Sequence, residues 1–147
     1  MKRREMLKAV SVAIAGAVSA TAFAADPSHH HDHVHSAKGH GAVIAASADC
    51  LKTGEVCLAH CIQLLGKGDT ELAACAASVN EMMPICDALL RLASQGSKYL
   101  PALAKVAADT CASCEKECRK HEKKHAECKA CADACATCLK ECQNLAA

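Results

Sequence analysis

From residue 42 onward the apolar positions recur at helical spacing, and at many places where a helix would bury leucine the chain places cysteine. The densest case is the span 128–142, C-K-A-C-A-D-A-C-A-T-C-L-K-E-C, whose cysteines recur at steps of three, four, three and four. At about 100° per residue, Cys128, Cys131, Cys135, Cys138 and Cys142 fall within roughly 80° of arc, on one face of a helix. Between them lie Ala, Lys, Asp, Thr, Leu and Glu with no Gly or Pro, which favours an unbroken helix with a polar back. The remaining cysteines obey the same geometry. Cys50, Cys57 and Cys61 are seven and four apart, Cys75 and Cys86 eleven, and Cys111, Cys114 and Cys118 three and four.

Turn clusters at Gly66-Lys67-Gly68-Asp69 and Ser94-Gln95-Gly96-Ser97, and a charged run over residues 119–124, separate four such segments. Helices are predicted at 42–66, 70–95, 98–120 and 124–145, and connections this short make neighbours antiparallel. The expected fold is all-α, an antiparallel up-down four-helix bundle with a cysteine-lined core. Pro101 suits the first turn of the third helix. Pro84 lies inside the second but opposite Cys75 and Cys86, which predicts a bend on the outer face rather than a break. Met82 lies on the cysteine stripe of the second helix and reads as core filling, while His121 and His125 continue the stripe of the third.

The two halves of this bundle have different material to bury. The first two helices keep Ile44, Leu51, Leu58, Ile62, Leu65, Leu72, Val79, Met83, Leu89 and Leu90 beside the thiols. Over residues 107–138 there is no Leu, Ile, Val, Met or Phe, so only alanine and cysteine can pack inward. Aromatic residues make up 1% of the chain, and past the first 24 residues the only one is Tyr99. Charge is nearly balanced, 17 Lys and Arg against 16 Asp and Glu, which gives no support for nucleic-acid binding or for attraction to an anionic membrane.

Upstream of the bundle domain, at 42–147, the chain changes character twice. Residues 1–24 read as an export signal, with basic Lys2, Arg3 and Arg4, an apolar run over 9–22, and Ala22-Phe23-Ala24 as a cleavage site. Within it, Arg3-Arg4-Glu5-Met6-Leu7-Lys8 resembles a twin-arginine (Tat) signal peptide. The expected location is therefore periplasmic or otherwise outside the cytoplasm, with no stable membrane insertion once the signal is removed. Residues 25–41 form a flexible segment rich in histidine, with His29, His30, His31, His33, His35 and His40, which reads either as a metal collector or as a solvated tail.

Thirteen cysteines are an odd number, so one chain cannot pair them all. Thiols three or four apart on a helix diverge and do not bridge readily, although pairs between helices remain open. Rows of soft thiolates favour Cu(I), Zn(II) or iron-sulfur clusters and exclude calcium and magnesium. Zinc prefers closed groups of four ligands, usually on turns, whereas these thiols lie on straight helices. Cu(I) accepts two or three sulfurs, and one monovalent ion per thiolate leaves the interior neutral. Many Cu(I) ions along one axis is the least costly filling.

The cysteine-lined helices, C-L-A-H-C at 57–61 and E-C-K-A-C-x-x-A-C-x-x-C-x-x-E-C at 127–142 resemble the bacterial copper storage proteins. That resemblance implies storage of multiple Cu(I) ions along the core of a homotetrameric four-helix bundle, for supply to copper enzymes outside the cytoplasm. It implies that all thirteen cysteines are metal ligands or lie on the ligand stripes, and that His60 lies near the opening. Copper chaperones and recipient cuproenzymes become candidate partners, and no catalytic residue is expected. In the first inter-helix turn, Leu64, Leu65, Gly66 and Leu72 stand where the family can be rich in methionine. Antiparallel topology puts Cys61, Cys75, Cys118 and Cys128 at one end with His60, His121 and His125, and Leu89, Leu90, Leu100 and Leu145 at the other. Copper is expected to pass the histidine end, with the leucine end sealed. A copper chaperone, a detoxification protein, a dithiol enzyme using Cys111 and Cys114, and a disulfide-braced bundle are the alternatives.

Overall fold

The computed structural model describes residues 39–146. Four helices carry the fold: α1 (Gly41–Leu65), α2 (Ala73–Ser94), α3 (Leu100–Arg119) and α4 (Ala126–Ala146), with no strand among the described residues. Each helix packs on its chain neighbours, and α4 returns against α1, so the four close a square around one axis. Residues 1–38, with the export signal and most of the histidine-rich segment, lie outside the described residues. Among those described, no helix is long and apolar enough to cross a membrane.

Helix boundaries follow the turn chemistry. The second helix, expected from residue 70, opens instead with a 3-10 turn, Thr70–Leu72, because the Asp69 carboxylate accepts from the Glu71 N–H at 3.2 Å and tightens the start. Before α3, the Leu100 N–H donates to the Ser97 carbonyl at 3.0 Å, which holds residues 97–99 in a turn. Before α4, the His121 carbonyl accepts from both Lys124 and His125 at 3.0 Å, so the charged run closes on itself and the helix starts at Ala126 rather than at 124. Gly68 (φ 92°) and Gly96 (φ 60°) supply the left-handed backbone by which the chain leaves α1 and α2.

Pro101 stands in the first turn of α3. Pro84 is exposed, and α2 continues through it uninterrupted. The side chain whose outward placement runs against expectation is Ile62, read with the apolar surface but 57% exposed. Cys61 takes the inward position, and one residue further along a helix turns Ile62 about 100° away from it. At the far end of the bundle Leu89 and Leu100 are fully enclosed, while Leu90 and Leu145 are half-buried.

Candidate metal centre

Every one of the thirteen cysteines is buried to zero exposure and carries a free thiol. The helical period places each Sγ on the bundle axis, and antiparallel packing then brings thiols of different helices level with one another. Across the α2–α3 face Cys75 and Cys118 approach to 3.4 Å and Cys86 and Cys111 to 3.8 Å. Cys57 of α1 lies 3.8 Å from Cys128 of α4, and Cys114 lies 3.9 Å from Cys131. Along single helices, Cys114 and Cys118 are 3.9 Å apart and Cys138 and Cys142 4.0 Å. Two arrangements that can hold a two- or three-coordinate ion, a pair four residues apart and a pair facing across two helices, are therefore present.

These pairs join into groups whose sulfurs all lie within 4.8 Å of one another. Cys50, Cys86, Cys111 and Cys138 form one layer and Cys57, Cys61, Cys75 and Cys128 another; Cys57–Cys118–Cys131 and Cys114–Cys131–Cys135 run on from the second, and Cys135 at the end of that run acts on Cys50 and Cys111 of the first. Cys57 and Cys131 each belong to two groups, so three of the four groups share sulfurs, and the action of Cys135 on Cys111 and the 4.0 Å approach of Cys138 to Cys142 carry the ladder on through the remaining layer. Protons are unevenly held along it. Hydrogen bonding from Cys135, aided by Cys50 and Cys86, draws Cys111 down to about 5, and Cys118 and Cys128 lower Cys75. Burial, then the nearby charges of Cys57 and Cys75, pushes Cys61 up. Thiols of the first kind give up their protons more readily, and those of the second must be driven to release them as metal binds.

At the histidine end, His60 Nε2 and His125 Nδ1 are 2.9 Å apart, and His60 Nδ1 lies 3.6 Å from a Glu127 carboxylate oxygen. The His121 ring stands 6.4 Å from that of His125, centroid to centroid. The three imidazoles expected at this end are thus gathered there, His60 next to Cys61 and His125 three residues before Cys128 in sequence. Met82 is fully buried on the α2 stripe. Opposite it is Gly54, which sequence reasoning passed over: a Cβ there would come within 3.2 Å of Met82 Cε and 3.1 Å of Met83 Cγ. The available signal was a glycine four residues after Cys50 and three before Cys57, on the inward stripe of a helix where it otherwise costs about 1 kcal/mol.

A ladder of free thiols enclosed by four helices defines a class of protein, a bundle whose core is built to take up soft metal ions. The sequence profile of the copper storage protein family matches residues 35–147, and the chain belongs to that family. Copper storage protein 3 from Bacillus subtilis, in its apo form, is 32% identical over 73% of this chain and 98% of its own, with a TM-score of 0.64. A Cu(I)-bound copper storage protein matches at 31% identity and a TM-score of 0.65, over 73% of this chain and 97% of that one. A cytosolic copper storage protein from Streptomyces lividans, carrying five coppers, is 25% identical over 77% of this chain and 96% of its own, with a TM-score of 0.68. No curated protein sequence matches.

This last likeness corrects the expected location outside the cytoplasm. A family whose members include a cytosolic protein of the same fold does not carry an extracellular address with its copper core, and the motif that suggested export lies outside the described residues. The metal ladder is indifferent to compartment. Its geometry follows from helical period and packing alone.

Proposed function

We propose that this protein stores Cu(I) by filling its thiol ladder, with all thirteen cysteines and His60 as ligands. The single observation that carries the reading is continuity: thirteen buried free thiols, twelve of them in groups within 4.8 Å and Cys142 at 4.0 Å from Cys138, leave no natural stopping point after one or two ions. A delivery protein would expose one site. Here the ions would be enclosed, each neutralised by one thiolate, and retained. The role is that of a store and not of a catalyst.

Copper passes the end where His60, His121 and His125 gather, since neutral imidazoles can hand a soft ion to the first thiols while the other end is closed by Leu89 and Leu100. We assign the histidine-rich residues 25–41 the task of collecting metal for the bundle that follows, and four copies of the chain to the working assembly. Light scattering of purified protein reads the assembly directly. The storage reading is tested by anaerobic titration of reduced protein with Cu(I) against a chromophoric Cu(I) chelator. Uptake approaching about one ion per cysteine before the chelator colours is the expected result. Saturation at one or two ions would overturn it.

A further inference from the structure

On a single straight helix a thiol row does not close a tetrahedron, but four helices together do. Cys50 of α1, Cys86 of α2, Cys111 of α3 and Cys138 of α4 bring one thiol from each helix to the same level, all four sulfurs within 4.8 Å of one another. A tetrahedral zinc site with Zn–S bonds of about 2.3 Å requires sulfurs about 3.8 Å apart. Cys86 and Cys111 already stand at 3.8 Å. The wider pairs need contractions of at most about 1 Å, within reach of rotation about Cα–Cβ. No other group takes one thiol from every helix: the second four-thiol group draws both Cys57 and Cys61 from α1 and none from α3.

The surroundings fit a closed structural site rather than an open one. On the side away from the histidines Cys142 stands 4.0 Å from Cys138, the bundle end beyond it holds Val43, Leu89 and Leu100, each at most 2% exposed, and all four thiols of the layer are at zero exposure. Water has no place as a fourth ligand, the condition that separates structural from catalytic zinc. We propose that this layer binds one divalent d10 ion, Zn(II), as a tetrathiolate that ties the four helices together until Cu(I) displaces it. Binding releases the thiol protons the layer still holds and leaves a net charge of −2 with no cationic side chain in the core to answer it. Cu(I) fills the same layer with no net charge, so copper must win the exchange. The inference goes beyond copper storage and can fail separately from it.

Co(II) serves as the visible probe, because a tetrathiolate cobalt site has intense ligand-field bands that octahedral aqueous cobalt lacks. Reduced full-length protein titrated anaerobically with Co(II) should develop these bands with an end point near one equivalent, lose them when Zn(II) is added, and lose them again with excess Cu(I). X-ray absorption of the zinc form should show four sulfurs at about 2.3 Å. Cys86→Ser and Cys111→Ser should abolish the bands, while Cys131→Ser, a thiol in neither four-thiol group, should retain them. Helix content by circular dichroism identifies any variant that has failed to fold, and either of the two layer variants suffices. Absence of tetrathiolate bands in the parent, their survival in a folded Cys86→Ser, or their persistence under excess Cu(I) would overturn the assignment. Copper capacity measured on the same samples reads the storage function independently: full Cu(I) uptake without cobalt bands rejects this site alone.

Discussion

The half of the bundle made by α1 and α2 and the half made by α3 and α4 present thiols to the same axis but are held together by different means. On α2, Val79, Met82 and Leu89 are fully enclosed between and beyond the cysteines, and Met83 of α2 and Leu51 and Leu58 of α1 pack at the margin. On α3 and α4, between residues 107 and 138, the buried side chains are alanine and cysteine only. What that half lacks inside it has outside. Arg119 at the end of α3 bonds Glu115, Glu122 and, across to α4, Asp133 at 2.6 Å, while Asp133 also accepts from Lys129 at 2.7 Å. The first half has one such close pair on its own helices, Arg91 with Asp87. A core specialised for metal gives up apolar area, and the lesson is that cohesion moves to the other half, to surface charge and to the cargo itself.

The comparison is broken most severely by truncating the apolar half. Leu89→Ala should cost about 2–5 kcal/mol in denaturant unfolding of copper-free protein, whereas Cys135→Ala, equally buried, should cost about 1 kcal/mol because so little is removed. Equal losses would mean that the thiols pack as tightly as leucine and that the two halves do not differ. Copper should then invert the ranking. At free Cu(I) a hundredfold above the dissociation constant, linkage stabilises by about 2.7 kcal/mol per site, so amide exchange in α3 and α4 should slow by about a hundredfold or more and by a larger factor than in α1 and α2. Uniform protection across the four helices would show that cargo does not compensate the alanine-cysteine half in particular.

The smallest effect is at the surface. Solvent screening keeps the Arg119 network to about 0.2–1 kcal/mol, the expected loss in Arg119→Ala near neutral pH. Hydrogen bonds from Lys129, then Arg119, hold the Asp133 carboxyl below its ordinary 3.8. A carboxylate depressed by folding contributes its full stability above the unfolded value and loses it as pH falls through the folded one. The gap between parent and Arg119→Ala should therefore persist from neutral pH to about 4 and close below that, as read by urea midpoints at a series of pH values. A gap that widens on acidification would assign the loss to packing of the arginine stem instead.

Much of this was legible because cysteine spacing is itself a helical record. Steps of three and four fixed which face of each helix turns inward, and the Gly68 and Gly96 turns marked where chains reverse. Spacing gives azimuth but not height. Which thiol of α2 stands level with which thiol of α3 depends on turn lengths and on where each helix starts, and the 3-10 turn over Thr70–Leu72 is a local bond no periodicity reveals. For the same reason the Cys50, Cys86, Cys111, Cys138 layer, the 2.9 Å approach of His60 to His125 and the reach of Arg119 to Asp133 were invisible. Zinc was weighed against copper one helix at a time, and four thiols from four helices meeting on one level are what such a comparison does not see. Location was misread from a local basic-apolar pattern at residues 1–24, which carries no information about the thiol core on which family membership rests.

The up-down connectivity has a practical consequence. The α1–α2 and α3–α4 turns lie at the histidine end, while α1 begins and α4 finishes beside one another at the leucine end, where Val43 and Leu145 line a common cleft. A linker attached beyond α4 would therefore anchor the molecule by the end opposite the histidine cluster. Immobilised through that point on an electrode or a bead, a monolayer of these bundles would stand with every histidine cluster turned toward solution, oriented by topology without any engineered contact.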